Sequence, residues 1–158
     1  MEIVRIDAEN RESVNRFILG HWYTLKMAVR GELVDLGSAD GCAAVEDGEI
    51  TGLVTWRLRA GELEILSLDS TEEHRGVGSA LLGEAAREAR RLSLGRVTLI
   101  TTNDNTRALR FYQRRGFDMT GVFLNAVDKA RKLKPEIPLT GEDGIPVRHE
   151  IELTLTLE

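Results

Sequence analysis

The fold of this chain is decided by the stretch Ile65-Leu66-Ser67-Leu68-Asp69-Ser70-Thr71-Glu72-Glu73-His74-Arg75-Gly76-Val77-Gly78-Ser79. Its apolar start, 65–68, is typical of a strand, and the run 80–86 that follows is typical of a helix. Glycines between the two let a ligand approach the backbone, and the first N–H groups of a helix lack acceptors within the helix. Because these groups also lie at the positive end of the helix dipole, the stretch predicts an anion-binding site.

Length and composition place the chain among ordinary globular proteins. It has 158 residues, of which 42% are hydrophobic and 30% charged, and these values favour one soluble domain spanning residues 1–158. The formal charge of -5 argues against nucleic acid as a partner, because nucleic-acid binders usually carry a basic stripe. An excess of acid is compatible with a cationic substrate, although net charge says little about one cleft.

The sequence contains no pattern that predicts export or membrane insertion. Its single cysteine, Cys42, cannot form an internal disulfide, and no apolar run approaches the roughly 20 residues that span a bilayer. The start of the chain, residues 1–6, lacks the basic end and apolar middle of a signal peptide. We therefore expect a cytoplasmic protein without a membrane partner.

Hydrophobic periodicity and turn residues predict a series of strands and helices. Strands are predicted at 2–6, 42–46, 49–59, 63–68, 96–102, 117–124 and 150–157. Helices are predicted around 14–18, at about 76–92, from a cap at 103–105 to about 115, and at 126–133. The Asp47-Gly48 dipeptide predicts a hairpin turn. Residues 21–40 show no single period and are interpreted as an irregular helix-and-loop segment.

These elements predict an α/β fold with a mixed, mostly antiparallel sheet of six to seven strands and helices on both faces. The strand–helix–strand unit from Leu63 to Ile100 should cross over right-handedly, which makes its two strands parallel. The three strands before the glycine loop are joined by short turns and should form an antiparallel meander. A single domain suffices for this order of elements.

Two common phosphate-binding motifs do not fit the glycine loop. A P-loop needs Lys and then Ser or Thr directly after its last glycine, but Gly78 is followed by Ser79 and Ala80. A dinucleotide-binding fingerprint needs three glycines, whereas the loop contains only Gly76 and Gly78. The ligand of the predicted anion site must therefore be inferred from residues elsewhere in the chain.

A second group of residues that can carry chemistry lies on the predicted helix after 103–105. Asn105 and Tyr112 are seven residues apart and therefore share a helix face. A phenol that faces a phosphate-binding loop can donate a proton to a leaving group held there. The alternative is that Tyr112 and Phe111 are core aromatics, and the helix alone leaves both interpretations open.

The loop and this helix together resemble the GNAT superfamily of acetyl-CoA-dependent N-acetyltransferases. The loop motif of that family, Arg/Gln-x-x-Gly-x-Gly/Ala, aligns without a gap to Glu73, Gly76 and Gly78. Its second motif, Asn-x-x-Ala-x-x-x-Tyr-x-x-x-Gly-Phe, is matched by Asn105, Ala108, Tyr112, Gly116 and Phe117. The runs 101–105 and 144–152 also resemble a bacterial subgroup of this superfamily whose substrate is undefined.

The resemblance implies a single-domain GNAT fold in which the parallel strands 63–69 and 96–102 splay apart, with acetyl-CoA as co-substrate and no metal. It implies that backbone N–H groups of the loop and helix start hold the pyrophosphate of CoA: Arg75, Gly76, Val77, Gly78 and Ser79. The backbones of Leu66 and Leu68, together with Asn105, would contact the pantetheine arm. Tyr112 would protonate the departing thiolate.

One position of the loop departs from the family motif. Glu73 stands where the family usually has Arg or Gln, which places a carboxylate among the cofactor-binding positions, and His74 replaces a frequent glycine. Since the backbone donors and the charge of Arg75 remain, we expect CoA to bind, with a lower affinity or a greater salt sensitivity. The alternative is that Glu73 points away and caps local backbone groups.

Direct acetyl transfer requires a base that accepts a proton from the amine. Glu64 matches a Glu that family members often use for this purpose. Alternation along the strand should place Glu64 on the same face as Leu66 and Leu68, in a partly desolvated site suited to a base. The alternative is an exposed Glu at the start of a strand. Cys42 is interpreted as a small core residue and not as a nucleophile.

The sequence therefore predicts an enzyme that moves acetyl from acetyl-CoA to a primary amine. A small molecule is favoured over a protein N-terminus or lysine because the chain has no accessory domain, and a catalytically weak CoA-binding module is the alternative. A homodimer is compatible with the fold. Candidate substrate contacts, each of which can also be structural, are His21, Trp22, Arg30, Asp35, Trp56, Lys134, Asp143 and Arg148. The polar face of the last strand is expected to be solvated.

Overall fold

The computed structural model describes residues 1–72 and 75–158. Its strands and α-helices are, in chain order, β1 (Glu2–Arg5), α1 (Arg11–Trp22), β2 (Lys26–Val29), β3 (Glu32–Asp35), β4 (Asp40–Glu46), β5 (Glu49–Arg59), β6 (Glu62–Ser70), α2 (Val77–Arg91), β7 (Arg96–Thr102), α3 (Thr106–Gln113), β8 (Asp118–Phe123), α4 (Ala126–Leu133) and β9 (Glu150–Thr156). Short 3-10 turns lie at Leu36–Ser38 and Glu142–Gly144. Among these described helices, none combines the length and the apolar character that a bilayer crossing needs.

Seven strands form one mixed sheet, in the order β1-β4-β5-β6-β7-β9-β8, while β2 and β3 form a separate hairpin. One pair of strands is parallel and the rest are antiparallel, which confirms the predicted α/β fold with a mostly antiparallel sheet. The prediction that residues 1–158 form a single domain stays a prediction. The chain divides into two compact units, the first made of Met1–Lys26, Asp35–Val97 and Leu157–Glu158, the second of Met27–Val34 and Thr98–Thr156.

In the first unit, α1 and α2 lie on opposite faces of the strands β4, β5 and β6. A Cβ added at Gly52 of β5 would lie 2.5 Å from a methyl group of Val77 in α2. The next residue of β5, Leu53, pairs with Asp69 of β6, and Asp69 accepts a hydrogen bond from Trp22 of α1. Since neighbouring residues of a strand point to opposite faces, α2 covers one face and α1 the other.

The core of this unit is built from apolar side chains of both helices and the central strands. Its buried members include Val14, Ile18, Leu53, Val54, Leu63, Leu81 and Ala85. Trp56 is also buried, and the guanidinium of Arg5 lies 5.1 Å from the centre of its ring. Burial raises the pKa of the Cys42 thiol to about 11, so Cys42 remains a protonated core residue at neutral pH.

The segment 21–40 is more regular than its sequence pattern indicates. Helix α1 continues to Trp22, and the strands β2 and β3 then form a hairpin, so the prediction of an irregular helix and loop is wrong. The turn residues Arg30 and Gly31 both have left-handed backbones, with φ of 52° and 78°. A two-residue turn of this kind is usually marked by Asn-Gly or Asp-Gly. Because Arg30 occupies the first position of this turn in place of Asn or Asp, the sequence pattern does not predict the hairpin.

In the second unit, the polar face of β9 is occupied by other side chains. A one-residue bulge at Thr120 interrupts the register of β8 with β9. The Thr120 hydroxyl donates to Glu152 at 2.7 Å and lies 2.8 Å from the Thr154 hydroxyl, and the other Glu152 oxygen accepts from Arg30 at 3.0 Å. Glu150, at the start of the strand, is buried. The prediction that this face is solvated is therefore wrong.

We expect Glu88 on α2 to make folding stability depend on pH. Hydrogen bonds from Arg91, and after them from Arg5, lower the pKa of Glu88 to about 2 against the opposing effect of burial. A depressed carboxyl pKa stabilises the fold above the ordinary value of 4.5, and this contribution is lost as the pH falls toward 2. Urea unfolding should show that Glu88→Gln costs about 1–3 kcal/mol at pH 7 and progressively less as the pH falls below 4.5.

The matched control for this prediction is Glu84→Gln on the same helix. Glu84 also pairs with an arginine three residues away, Arg87 at 2.7 Å, but the Glu84 side chain is 27% exposed, whereas that of Glu88 is 9% exposed and also contacts Arg5. An exposed pair of this type contributes about 0–1 kcal/mol. Equal losses for the two variants at pH 7, or a loss for Glu88→Gln that does not change with pH, would contradict the assignment.

A second prediction concerns the close packing of α2 on β5. Gly52→Ala would place a methyl group 2.5 Å from Val77 and 3.0 Å from Leu81, so the start of α2 must shift. Overpacking of this kind costs about 1–3 kcal/mol, which urea unfolding can measure. The control Gly83→Ala lies within α2 and meets no atom within 4 Å, so it should be neutral or stabilise the helix by up to about 1 kcal/mol. A Gly52→Ala variant as stable as wild type would contradict the predicted clash.

Candidate active site

The turn from β6 into α2 has the geometry of an anion-binding helix start. Gly76 is left-handed, with φ of 78°, and caps α2, which begins at Val77. The first hydrogen bond within α2 runs from the N–H of Ala80 to the carbonyl of Gly76 at 3.0 Å, so the helix amides of Val77 and Gly78 have no acceptor within the helix. A Cβ at Gly76 would meet no atom of residues 1–72 and 75–158 within 4 Å, which leaves room beside the turn among these residues. The first turn of α2 carries no acidic side chain that would oppose an anion.

Arg75 carries a positive charge next to this turn, and two carboxylates share it. Its guanidinium donates to Glu72 at 2.8 Å and lies 4.0 Å from an oxygen of Glu46. These side chains border an open, acidic cleft of about 390 Å³, which is also lined by Asp47, Glu49 and Thr51. Despite these acids, no group of three or more His, Cys, Asp or Glu side chains within 1–72 and 75–158 is placed to hold a metal ion. The loop residues Glu73 and His74 lie outside the described residues.

Strand β6 carries a one-residue bulge at Leu66. Its neighbours Ser67 and Ile65 pair with Thr55 and Trp56, which are adjacent on β5, so Leu66 has no partner residue on that strand. A bulge bends the strand and leaves the extra residue out of the regular ladder with its neighbour. The residue that the family resemblance assigns to the pantetheine arm therefore lies at an irregularity of the sheet.

The bulge also decides which side chains share a face of β6. Glu64 pairs with Arg57 and Ser67 pairs with Thr55, whose hydroxyl lies 2.6 Å from that of Ser67. Since Thr55 and Arg57 are two residues apart on β5, Glu64 and Ser67 point to one face, and Leu68 points to the other. The prediction that Glu64 and Leu68 share a face is wrong, because simple alternation does not continue across a bulge.

Glu64 is completely buried and contacts two arginines. Its exposed fraction is 0%, so the alternative of an exposed Glu at a strand start is wrong as well. Arg57 Nε donates to one Glu64 oxygen at 2.6 Å, and Arg59 Nη1 donates to the other at 3.5 Å. Because both oxygens already accept from guanidinium groups, a proton could reach Glu64 only at the cost of these buried ion pairs.

In the second unit, Asn105 and Tyr112 occupy the two ends of α3. Asn105 caps the helix, since its side-chain oxygen accepts from the N–H of Ala108 at 3.2 Å. Tyr112 is buried, and its ring packs edge-to-face against Phe111 and Phe117 with ring centres 5.1 Å and 5.3 Å away. These contacts hold the phenol ring in place. The Tyr112 ring is therefore a core aromatic, as one of the two interpretations predicted. The role of its hydroxyl group as an acid stays a prediction.

Asn103 links two stretches of the second unit, an interaction that the sequence analysis missed. Its side-chain oxygen accepts from the N–H groups of Arg148 and His149 at 2.9 Å and 2.8 Å. Its amide group donates to the carbonyl of Pro146 at 3.0 Å. The runs 101–105 and 144–152, which carry the resemblance to a bacterial subgroup, are thus hydrogen-bonded to each other. The only indication of this interaction in the sequence was an asparagine directly after a strand rich in β-branched residues.

Three substrate-contact candidates of the first unit have structural roles. His21 stacks on Phe17, with ring centres 4.2 Å apart. The carboxylate of Asp35 accepts from the N–H of Gly37 at 2.9 Å and so begins the 3-10 turn. Trp56 belongs to the core. Each of these side chains stabilises the fold where it lies.

The substrate-contact candidates of the second unit lie in different surroundings. Arg30 pairs with Glu152, and Arg148 donates to the side chain of Asn125 at 3.2 Å. Lys134 ends α4. Asp143 is exposed and has a left-handed backbone, with φ of 59°. Arg30 and Arg148 therefore already have a polar partner within the protein.

Trp22, the remaining candidate, contacts an acid that the sequence analysis missed. Its indole Nε1–H donates to an oxygen of Asp69 at 2.8 Å. Asp69 is half-buried near the end of β6. Burial raises the pKa of this carboxyl, whereas the hydrogen bond from Trp22 lowers it. The signal was an Asp directly after the run 65–68, but alternation alone does not reveal its partner.

Comparison with known proteins identifies the relatives of this chain. Residues 8–117 match the family model described as "Acetyltransferase (GNAT) family". The chain is 47% identical over 136 residues to "Uncharacterized protein YdhI" of Bacillus subtilis (strain 168), a match that covers 85% of both proteins. It also resembles the structure of "IAA acetyltransferase from Bacillus cereus ATCC 14579", with a TM-score of 0.75 and 21% identity over 99% of both chains.

A second solved structure has the same fold and a ligand. A GNAT family acetyltransferase from Elizabethkingia anophelis, with acetyl-CoA bound, matches with a TM-score of 0.70 and 20% identity over 99% of this chain and 97% of that chain. At these identities the two structural matches support the fold alone. The family model spans well over half of the chain, and the relative that is 47% identical covers 85% of it. This chain belongs to the GNAT acetyltransferase family.

Proposed function

We propose that this chain is an N-acetyltransferase that moves the acetyl group of acetyl-CoA directly to a primary amine. Its membership of the GNAT acetyltransferase family supports the reaction class. The structural observation that carries the proposal is the left-handed Gly76, which turns β6 into the start of α2 and leaves room beside it. The acetyl-CoA bound to the Elizabethkingia anophelis enzyme supports the choice of acetyl donor.

The residues of the first unit fit a phosphate-bearing acetyl donor. Helix amides at 77–78 precede the first intrahelical donor, and a helix start of this kind attracts anions. In the proposal, the N–H groups of 75–79 hold the pyrophosphate, and the backbones of Leu66 and Leu68 contact the pantetheine arm. The carboxylates of Glu72 and Glu46 hold the Arg75 side chain. The backbone amides must therefore supply most of the attraction for the phosphates. Because acidic side chains lie nearby, the affinity for acetyl-CoA should depend on the salt concentration.

Acetyl-CoA supplies a thioester whose C–S bond breaks as the amine nitrogen forms its bond to the acetyl carbon. Asn105, the cap of α3, is proposed to contact the pantetheine arm. Tyr112 is proposed to donate its phenolic proton to the sulfur that leaves, which avoids the release of a free thiolate. The aromatic contacts with Phe111 and Phe117 restrict the motion of the Tyr112 ring, which supports this role.

The proposed acceptor is the primary amine of a small molecule. A protein N-terminus or lysine side chain is the alternative acceptor, and a catalytically weak CoA-binding module is the alternative class of protein. The experiment that separates them is incubation with acetyl-CoA and a panel of small amines and peptides, followed by mass spectrometry. A mass increase of one acetyl group on a small amine supports the proposal. Acetylation of peptides alone, or of nothing, supports one of the alternatives.

We expect acetyl-CoA to raise the melting temperature of the protein, because a ligand that binds only the native state stabilises it. At about 100 times its Kd the shift should be about 5–10 °C for a chain of this length. Gly76→Ala should reduce the shift, since its methyl group occupies the space beside the helix start. The matched control is Gly144→Ala, which also has a positive φ, 73°, and open space around it. A wild-type protein that shows no shift at millimolar acetyl-CoA would exclude this acetyl donor.

The proposed acid role of Tyr112 gives a separate prediction. Tyr112→Phe should lower kcat about 100-fold or more, because a general acid contributes about that factor. Its affinity for CoA should change less than about twofold, since the ring and its packing remain. The control is Tyr23→Phe, which alters the only other tyrosine of the chain, a residue that is 88% exposed. Unchanged turnover of Tyr112→Phe would remove Tyr112 from the acid role.

A further inference from the structure

Asp69 and Trp22 form a polar contact on the α1 face of the sheet. The indole Nε1–H donates to Asp69 Oδ2 at 2.8 Å across 47 residues of sequence. Asp69 pairs with Leu53, whose neighbour Gly52 faces α2, so the Asp69 carboxylate lies on the face opposite α2. In the described part of the chain, no lysine or arginine pairs with this carboxylate.

The carboxylate lies next to the segment that the proposed function assigns to the acetyl donor. Asp69 directly follows Leu68, a proposed backbone contact of the pantetheine arm, and its side chain shares a face with Ser67. The start of α2, where the phosphates would bind, belongs to the other face. Asp69 and the start of α2 therefore lie on opposite faces of the sheet, so the carboxylate does not face the proposed phosphate site.

Asp69 has the properties of a base that Glu64 lacks. Glu64 is 0% exposed and accepts from Arg57 and Arg59, so its charge is already compensated. Asp69 is half-buried and accepts one hydrogen bond from a neutral indole, which fixes its orientation and leaves its other oxygen for a proton. Of these two acids on the same face of β6, Asp69 is the more exposed.

The charged surroundings of Asp69 are few. Burial raises the pKa of this carboxyl, while the hydrogen bond from Trp22 and the positive form of His21, both on α1, lower it. Its partner on β5 is the apolar Leu53. A carboxylate with a raised pKa is a stronger base, and the most effective base has a pKa near the working pH.

We infer that Asp69 is the general base of amine acetylation and that Trp22 positions its carboxylate, an inference that rests on the proposed function. As the nitrogen forms its bond to the acetyl carbon and the C–S bond breaks, the proton released from the nitrogen passes to Asp69. The sulfur receives its proton from Tyr112. Trp22 donates the hydrogen bond that orients the carboxylate. Glu64 then serves as the counter-ion of Arg57 and Arg59.

The first test is Asp69→Asn. The amide oxygen of Asn can still accept from Trp22, so the variant should fold, but it cannot take a proton. We expect kcat to fall about 100-fold while the Kd for acetyl-CoA changes less than about twofold. The control Asp40→Asn removes an exposed carboxylate from β4, which is separated from β6 by β5, and should leave both values unchanged. An Asp69→Asn variant with wild-type kcat would overturn the inference.

The pH dependence of kcat/KM gives a second test, which a purely structural role would not affect. The rate should rise with pH as the base loses its proton. Trp22→Phe removes a hydrogen bond that lowers the pKa of Asp69, so the rise should move to higher pH. His21→Gln removes a positive charge that also lowers the pKa of Asp69, so the rise in rate should again move to higher pH. A rise that stays at the wild-type pH in both variants would count against Asp69.

A third measurement needs no turnover. The chain contains two tryptophans, so a 15N-labelled sample should give two indole cross-peaks in a proton–nitrogen spectrum. Trp22→Phe identifies the peak of Trp22, whose chemical shift should follow the ionisation of Asp69 in the free protein. The midpoint should agree with the kinetic pKa, and this titration should disappear in Asp69→Asn. A Trp22 peak that titrates identically in Asp69→Asn would show that Asp69 is not the group observed.

The outcomes separate this inference from the proposed function. A wild-type protein that neither binds acetyl-CoA nor acetylates any amine overturns the proposed function, and the inference falls with it. A wild-type protein that is active while Asp69→Asn keeps its full rate overturns the inference alone. If Glu64→Gln then loses activity with the Kd for acetyl-CoA preserved, the base is Glu64, as the family resemblance implies.

Discussion

The bulge at Leu66 is the constraint on which the arrangement of the candidate site depends. One extra residue in β6 lets Ile65 and Ser67 keep adjacent partners on β5, but it reverses the alternation of every side chain that follows. Ser67 and Asp69 consequently point toward α1, and Leu68 points toward α2. Without the extra residue, these residues would exchange faces, and a carboxylate would lie beneath the helix start that is proposed to bind phosphate.

The two sides of β6 then differ in their chemistry. On the α2 side, glycines permit close packing and the amides of a helix start provide partial positive charge without a side chain. On the α1 side, the hydroxyls of Thr55 and Ser67, the buried Glu64 with its arginines, and Asp69 with Trp22 form a polar surface within a largely apolar unit. A strand of nine residues thus separates the helix start that is proposed to bind an anion from the carboxylate that is proposed to accept a proton.

Local signals were sufficient to predict the four helices, the seven strands of the mixed sheet and the start of α2 at the glycine loop. They did not predict features that depend on distant partners or on backbone irregularity. The acidic face of β9 is occupied because Arg30 reaches Glu152 from 122 residues away, and no local pattern reveals that pairing. The β2–β3 hairpin was hidden by Arg30 at a left-handed turn position, and the face of Asp69 was hidden by a bulge that leaves no mark in hydrophobic periodicity.

The hydrogen bonds of Asn103 have a consequence for protein engineering. Through them, the loop before β9 is fastened to the end of β7 by one side chain, which satisfies two N–H groups and one carbonyl of that loop. If residues 144–149 were transplanted into a related scaffold without an asparagine at this position, two N–H groups and one carbonyl of the loop would lose these hydrogen bonds. The loop and Asn103 should therefore be moved together, as a single module, in any chimera designed to exchange this part of the surface.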